Sequence, residues 1–222
     1  NNIRKLIVAE NDSLKTNLES ITRYIHNVGE EQKPNIIFIG LESVSGSFMQ
    51  RFGAQNNFLS SIDSLAKESI LFTNLQATGT RTIRGIEALT LCIPPTPGRS
   101  IVKRENNQNL FTIGEVFKQK GYTRTFFYGG DGYFDNMNHF FGNNGFDIID
   151  RKKNFRPAAL ISTKRTQIND DEVTFENAWG ICDGDLFDKV LKEADEQFKL
   201  QKPFFNFVMT SSNHKPYTYP NG

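Results

Sequence analysis

Lys33-Pro34-Asn35-Ile36-Ile37-Phe38-Ile39-Gly40-Leu41-Glu42-Ser43 is a short, near-continuous apolar run that ends in a carboxylate. Such a run predicts a strand covered on both faces, as in parallel sheets flanked by helices. Glu42 then stands at the C-terminal end of that strand, the edge at which open α/β sheets bind ligands. Downstream, the pattern predicts a helix over 59–68, a strand over 70–75, a helix from 82 to about 91 and a Pro-rich turn at Pro94-Pro95-Thr96-Pro97-Gly98. Beyond the turn it predicts a helix over 111–120, a strand over 122–128, a short helix near 135–141 and an extended segment at 146–149. A polar loop over 151–172, a helix over 184–199 and a strand over 204–210 complete the series. Gly121 after Lys118-Gln119-Lys120 is a helix stop with basic residues in the last turn. Helices separating short apolar strands predict an α/β fold, a mostly parallel sheet with helices on both faces. Before the opening run, Leu14, Leu18, Ile21 and Ile25 fall at helical spacing, so residues 1–30 read as a helical connector to a domain over 31–222.

The second decisive stretch is Thr78-Gly79-Thr80-Arg81-Thr82-Ile83-Arg84-Gly85, which puts a hydroxyl and two guanidiniums at a predicted helix start. Unpaired N–H groups and the positive dipole end stabilise a phosphate or sulfate there. A hydroxyl is a weak nucleophile at neutral pH and needs an adjacent base or a metal, so Thr82 points back to Glu42 as a hard oxygen partner for a divalent cation. Both residues also have a plain reading: Thr82 as an N-cap, Glu42 as a cap on the segment from Ser43. Arg81 and Arg84 are unfavourable at a positive dipole end, a conflict that an anion bound between them relieves; exposed arginines near helix starts are also common.

Composition narrows the partners. The chain has 222 residues, with Lys+Arg 26 against Asp+Glu 25 and a net charge of +1, so it carries no nucleic-acid footprint. Its 37% hydrophobic and 12% aromatic content is enough to bury a core. No run is long and apolar enough to span a membrane or act as a secretory signal. His26, His139 and His214 are the only histidines, and no two have metal-ligand spacing. His139 reads as a packing or surface residue, whereas His214 follows a predicted strand at the same sheet edge as Glu42, beside Asn213 and Lys215.

Asn35-Ile36-Ile37-Phe38-Ile39-Gly40-Leu41-Glu42-Ser43, then Ser64-Leu65-Ala66-Lys67-Glu68-Ser69 with Phe72-Thr73-Asn74, then the Thr82 turn, resemble the lipoteichoic acid synthase and phosphoglycerol transferase family. That family lies in the alkaline phosphatase and sulfatase-like superfamily. Tyr128-Gly129-Gly130-Asp131 through Phe134-Asp135-Asn136-Met137 to Asn144-Gly145-Phe146 agree, as do Trp179-Gly180 before Asp183 and Ser211-Ser212-Asn213-His214-Lys215-Pro216-Tyr217. The resemblance runs from about Pro34 to Gly222. It implies that Glu42 is a metal ligand, that Thr82 is the nucleophile and touches the same metal, and that His214 binds the phosphoglycerol head group. The implied cofactor is a divalent cation, manganese ahead of magnesium or zinc. An Asp-His pair that completes the family's metal site has no counterpart before Gly222, so the expected chain is the N-terminal part of a larger catalytic domain.

Gram-positive members have Trp and Arg where this chain has Phe134 and Asn136, and the Phe-Asp-Asn-Met form is similar to Gram-negative members, some of which move phosphoglycerol onto periplasmic glucans. Phe134 is thereby a candidate substrate contact, with core packing as its other reading. The implied function is a metal-dependent phosphoglycerol transferase acting on a glycerophospholipid-type donor, with Arg84 and His214 steadying the anion. Its implied partner is an anionic lipid or glycan, and its implied setting is the inner membrane, reached through segments outside this chain, with the catalytic domain in the periplasm. A phosphatase or sulfatase using water as acceptor, and a non-catalytic member that binds anionic glycans or lipids, are the alternatives. Cys92-Ile93-Pro94-Pro95-Thr96 looks like a sulfatase signature but has Thr96 in place of its arginine, and Cys92 falls near a helix end, so Cys92 is not a nucleophile. With Cys182 it forms the only possible disulfide, and buried free thiols are the expected state.

Overall fold

The computed structural model describes residues 28–151 and 161–221, with the backbone at 13–14 and 23–24. The chain divides into two units, 1–33 and 34–222. In the first, β1 (Ser13–Leu14) pairs antiparallel with β2 (Arg23–Tyr24). This corrects the helix expected there: apolar residues four apart, such as Leu14 and Leu18, satisfy a period of two as well as a helical one, and local pairing takes these four residues. The rest of that expected helix lies outside the described residues.

The second unit is built on a five-stranded sheet in the order β3 (Ile36–Gly40), β9 (Phe204–Met209), β4 (Thr123–Tyr128), β5 (Asp147–Asp150), β6 (Arg165–Gln167), every pairing parallel. Two further short strands, β7 (Glu176–Asn177) and β8 (Gly180–Ile181), form a separate antiparallel pair. The helices are α1 (Ser60–Leu65), α2 (Thr82–Leu91), α3 (Ile113–Gln119), α4 (Met137–Gly142) and α5 (Asp183–Lys199).

Alternation along the central strands sends side chains into two cores. Phe126, Phe205 and Phe207 meet α2, α3 and α4 on one face through Ile86, Phe117 and Phe141. There Phe126 stacks on Phe141 at 3.8 Å between centroids, and Phe117 on Phe205 at 4.3 Å. On the other face Phe127 and Val208 meet Leu186 and Val190 of α5. Each buried side chain of this size contributes about 1.5–3 kcal/mol relative to exposure, so the aromatic layer is the main source of cohesion. The α/β sheet with helices on both faces is therefore as expected.

Three local expectations change. Residues 70–75 form no strand, and Ile70, Phe72 and Leu75 are exposed; their apolar pattern finds no neighbouring strand to pair with. β3 is covered on one face only: Ile36 and Phe38 pack on the aromatic core, whereas Ile37 and Ile39 are 39% and 45% exposed, because α5 packs over β9 and β4. The polar loop over 151–172 contains β6, which joins the sheet through Asp150: the buried carboxylate accepts from Arg165 Nε at 2.7 Å, Asn138 Nδ2 at 2.8 Å and the Gly132 N–H at 3.1 Å.

Two measurements test this packing. A Cβ at Gly114 on α3 would stand 2.3 Å from the ring of the fully buried Phe146, so Gly114→Ala should lower unfolding stability by about 1–3 kcal/mol in a denaturant titration. Glu172 lies under α5, where Lys189 and Lys192 both reach its Oε1 at 3.0 Å. Burial pushes its carboxyl up, but the bonds from Lys192, the Asn169 N–H and Lys189 outweigh this and hold it down to about 2, against an ordinary 4.5. A carboxyl depressed by folding stabilises the fold above its unfolded value and loses that contribution as pH falls through the folded value. Glu172→Gln should therefore be less stable than wild type at neutral pH, and the gap should close between about pH 4.5 and 2.

Candidate active site

Parallel strands bring their C-terminal ends to one edge, and the loops after β3, β4 and β9 meet there with the start of α2. The cleft there is lined by Glu42, Thr82, Tyr128, Phe134, Asp135, Met137, Trp179, Thr210, Ser211 and His214. Of the expected site residues, Glu42, Thr82, His214 and Phe134 are thus brought together across sequence gaps of up to 172 positions.

Glu42 follows β3 by two residues, and its N–H donates to Thr210 Oγ1 beyond β9 at 2.9 Å. Its carboxylate accepts the Thr82 hydroxyl on Oε2 at 2.7 Å and the Ser43 hydroxyl on Oε1 at 3.0 Å. It does not cap a following helix. Thr82 is the first residue of α2, and Arg81 holds the N-cap position with no side-chain bond to the helix, so Thr82 is not an N-cap either. Its hydroxyl is free of capping duty and points to a carboxylate, the geometry of a nucleophile beside a proton acceptor.

Arg84 departs from expectation. Its guanidinium donates to Glu87 Oε2 and Thr96 O, both at 3.1 Å, and to Gly98 O. The Pro-rich turn offers carbonyls and Glu87 a buried carboxylate, so Arg84 clamps that turn to α2 and does not line the cleft. Arg81 is exposed, and the two do not form a shared anion clamp in the cleft.

The opposite wall is aromatic. Trp179 packs edge-on to Phe134 at 5.8 Å and lies 3.8 Å from the His214 ring between centroids. It is brought there by glycine: a Cβ on Gly130 would stand 2.2 Å from Trp179 O, and one on Gly180, at φ 137°, 2.2 Å from Gly129 O. The loop bearing His214 is tied to α5, where Asp183 Oδ1 accepts the Ser211 and Ser212 N–H groups at 3.0 Å each. Asp135 and Asn136 both adopt left-handed backbone (φ 54° and 65°), which turns the chain sharply between Phe134 and Met137. Lys103 reaches Asp135 Oδ1 at 2.5 Å.

Among the described residues, two carboxylates and no arginine or lysine line the cleft. Tyr128 shows the effect: burial, then the charges of Glu42, Asp135 and Asp131, push its phenol well above the ordinary range and keep it protonated. An anionic ester entering such a cleft needs a compensating cation. The hard oxygens of Glu42 and Thr82 fit a divalent one and would hold it together. They are two donors where sites of this kind use three or more. Among the described residues, no group of three His, Cys, Asp or Glu forms a metal site.

Trp179, Tyr128, Asp135, Met137, Thr210 and Ser211 complete the lining. In the sequence they stand at the ends of predicted strands (Tyr128, Thr210, Ser211), in a predicted short helix (Asp135, Met137) or between predicted elements (Trp179), positions shared with many structural residues. Cys92 is the C-cap of α2, at the opposite end from Thr82, which agrees with its exclusion as nucleophile. Both cysteines are free thiols; Cys182 is buried as expected, whereas Cys92 is exposed because α2 ends at the surface. His139 bonds through Nδ1 to Asn107 Oδ1 at 2.7 Å and takes no part in the cleft, and His26 lies outside the described residues.

Comparison with protein families matches residues 34–222 to the Sulfatase family. Among solved structures, a protein in the alkaline phosphatase superfamily from Vibrio parahaemolyticus aligns with a TM-score of 0.73 and 38% identity over 87% of this chain and 44% of its own. The lipoteichoic acid synthase LtaP from Listeria monocytogenes aligns with a TM-score of 0.68 and 17% identity over 85% of this chain and 43% of its own, a likeness of fold. The chain spans less than half the length of either structure. The match over residues 34–222 and the sequence shared with the Vibrio protein show that this chain belongs to the sulfatase family, in the alkaline phosphatase superfamily.

Proposed function

We propose that the protein is a metal-dependent phosphoglycerol transferase in which Thr82 is the nucleophile. The observation that carries this reading is the 2.7 Å bond from the Thr82 hydroxyl to Glu42 Oε2 at the first turn of α2. A divalent cation, manganese first and magnesium or zinc next, would lower the pKa of a bound hydroxyl and offset charge on the ester when held by Glu42, Thr82 and further ligands.

The chain's own residues do the rest. Thr82 Oγ1 attacks the phosphorus of a glycerophospholipid-type donor in line. A new Oγ1–P bond forms, the ester P–O bond to the lipid breaks, and the proton given up by the Thr82 hydroxyl ends on the departing alcohol. An acceptor hydroxyl then attacks the phosphorus of the phosphothreonine, the Oγ1–P bond breaks, and the proton the acceptor loses returns to Oγ1. Glu42 orients the Thr82 hydroxyl, the first-turn N–H groups of α2 face the developing charge, and His214, Trp179 and Phe134 bound the head group. The motif likeness to phosphoglycerol transferases supports transfer over hydrolysis, and the fold shared with LtaP is compatible with it. In this reading the donor is an anionic lipid, the acceptor a glycan, and the domain works on the periplasmic face of the inner membrane. Among the described residues no helix is long and apolar enough to cross a membrane.

Thr82→Ala in the full-length natural protein should cut turnover of a fluorescent phosphatidylglycerol analogue by roughly 10⁴-fold. Retained turnover excludes Thr82 as nucleophile. Product analysis separates the reactions: a phosphoglycerol-extended glycan marks transfer, whereas free glycerol phosphate alone marks hydrolysis. Chelation should abolish wild-type turnover and added Mn²⁺ restore it, while Glu42→Gln should need a much higher metal concentration for half-maximal rate. Activity indifferent to chelator would rule out the metal-assisted route.

A further inference from the structure

We propose that Trp179 is a positioning residue for His214, fixing its ring and its tautomer so that Nε2 is presented as a hydrogen-bond acceptor. His214 Nδ1 lies 3.0 Å from Lys215 O. A carbonyl only accepts, so Nδ1 carries the proton; a neutral imidazole has one N–H, and Nε2 is left with its lone pair. Trp179 Nε1–H donates to the same carbonyl at 2.8 Å, using its second lone pair, and the indole lies against the imidazole at 3.8 Å with the planes tilted by 43°. One side chain thus anchors the acceptor that sets the tautomer and closes a face of the ring.

Trp179 is itself held from three directions. Its N–H donates to Asn177 Oδ1 at 2.8 Å, and Asn177 Nδ2 in turn bonds Thr218 Oγ1 at 2.9 Å. Its carbonyl is pressed against Gly130, and Phe134 packs on its ring. The consequence deepens the function proposed above and rests on it. In its uncharged form, with Nδ1 bonded to Lys215 O, the His214 ring presents a bare Nε2 that accepts a hydrogen bond from a hydroxyl, so it selects esters whose head group or acceptor bears a free hydroxyl. In that form it does not donate to phosphate oxygens.

The test is ¹⁵N NMR of the histidine rings, at a pH about two units above the ordinary histidine value. His214→Gln assigns the resonance among the three histidines, and the single tryptophan gives one indole N–H signal to report Trp179. Wild-type His214 should show a protonated Nδ1 and a bare Nε2. Trp179→Phe keeps a ring but removes the indole N–H, and should shift part of the population to the Nε2–H form; Trp179→Leu should shift more. In the active full-length protein, Trp179→Leu should raise KM for a hydroxyl-bearing donor roughly tenfold, with a smaller change in kcat. A protonated Nε2 in the wild type, or a tautomer unchanged in Trp179→Leu, overturns the proposal. Absence of turnover in the wild type would overturn the transferase reading, and the tautomer measurement would still decide the role of Trp179.

Discussion

The cleft depends on β9 lying between β3 and β4. All six residues of β9 are buried, and its register fixes Gly40 against Met209 and Tyr128 against the same residue. A strand hydrogen-bonded on both sides cannot slip by one residue without turning Phe205 and Phe207 out of the aromatic core. The ends of three strands are thereby level, and Glu42, Tyr128 and Thr210 leave the sheet together. β3 and β9 are far apart in sequence, so the site forms only when this long-range pairing does. The Thr210 N–H donates to Gly40 O at 3.1 Å and so extends the ladder one step, and the Glu42 N–H then donates to the Thr210 hydroxyl at the edge of the cleft.

The residues around Thr82 use a different device. α2 is not part of the sheet, and its N-terminus is held in place by packing of Ile86 into the aromatic core and by Arg84 gripping the turn that follows. Arg84 therefore acts on Thr82 through the helix, at the cost of being withdrawn from substrate. Its buried partner Glu87, which also accepts from Ser100 Oγ at 2.9 Å, leaves Oε1 without a bond. An unsatisfied buried carboxylate oxygen is costly, so the Arg84 pair is the condition on which Glu87 remains inside.

Much of this was legible before the fold was known. Strong apolar runs with Gly or Pro at their ends gave β3, β4, β9 and α2 close to their observed limits, and the carboxylate after β3 and the hydroxyl at the start of α2 were visible as a pair. β6 was not legible, since Arg165-Thr166-Gln167 has no apolar pattern and is a strand because Asp150 and Arg165 meet. Residues 70–75 failed in the opposite way, with a strand's composition and no partner. Arg84 was misread because spacing reports only that it stands near Thr82. Whether a guanidinium faces the cleft or the turn is decided by which carbonyls lie within its reach, and Thr96 and Gly98 are set by the Pro-rich turn. Trp179 is not legible as a site residue because its place depends on the contact of the Gly129-Gly130 pair with Gly180, which no periodicity encodes.

The electrostatics of the cleft follow from the same facts. With Arg84 committed to the turn and Lys103 bound to Asp135, no arginine or lysine among the described residues lines the space between Glu42 and His214. Tyr128 is kept neutral by burial and by the carboxylates around it. In the proposed transferase, these residues would recognise an ester mainly through hydroxyls, aromatic faces and the first turn of α2. Such a surface would discriminate by the shape and hydroxyls of a head group and leave the phosphate to the positive charge that Glu42 and Thr82 would hold. A cleft lined with arginines would bind any phosphate strongly and gain little in the transition state. In the proposed mechanism, one that stays negative until a cation is bound would tie anion affinity to the same two oxygens that hold the proposed nucleophile, so that binding and activation would be acquired together.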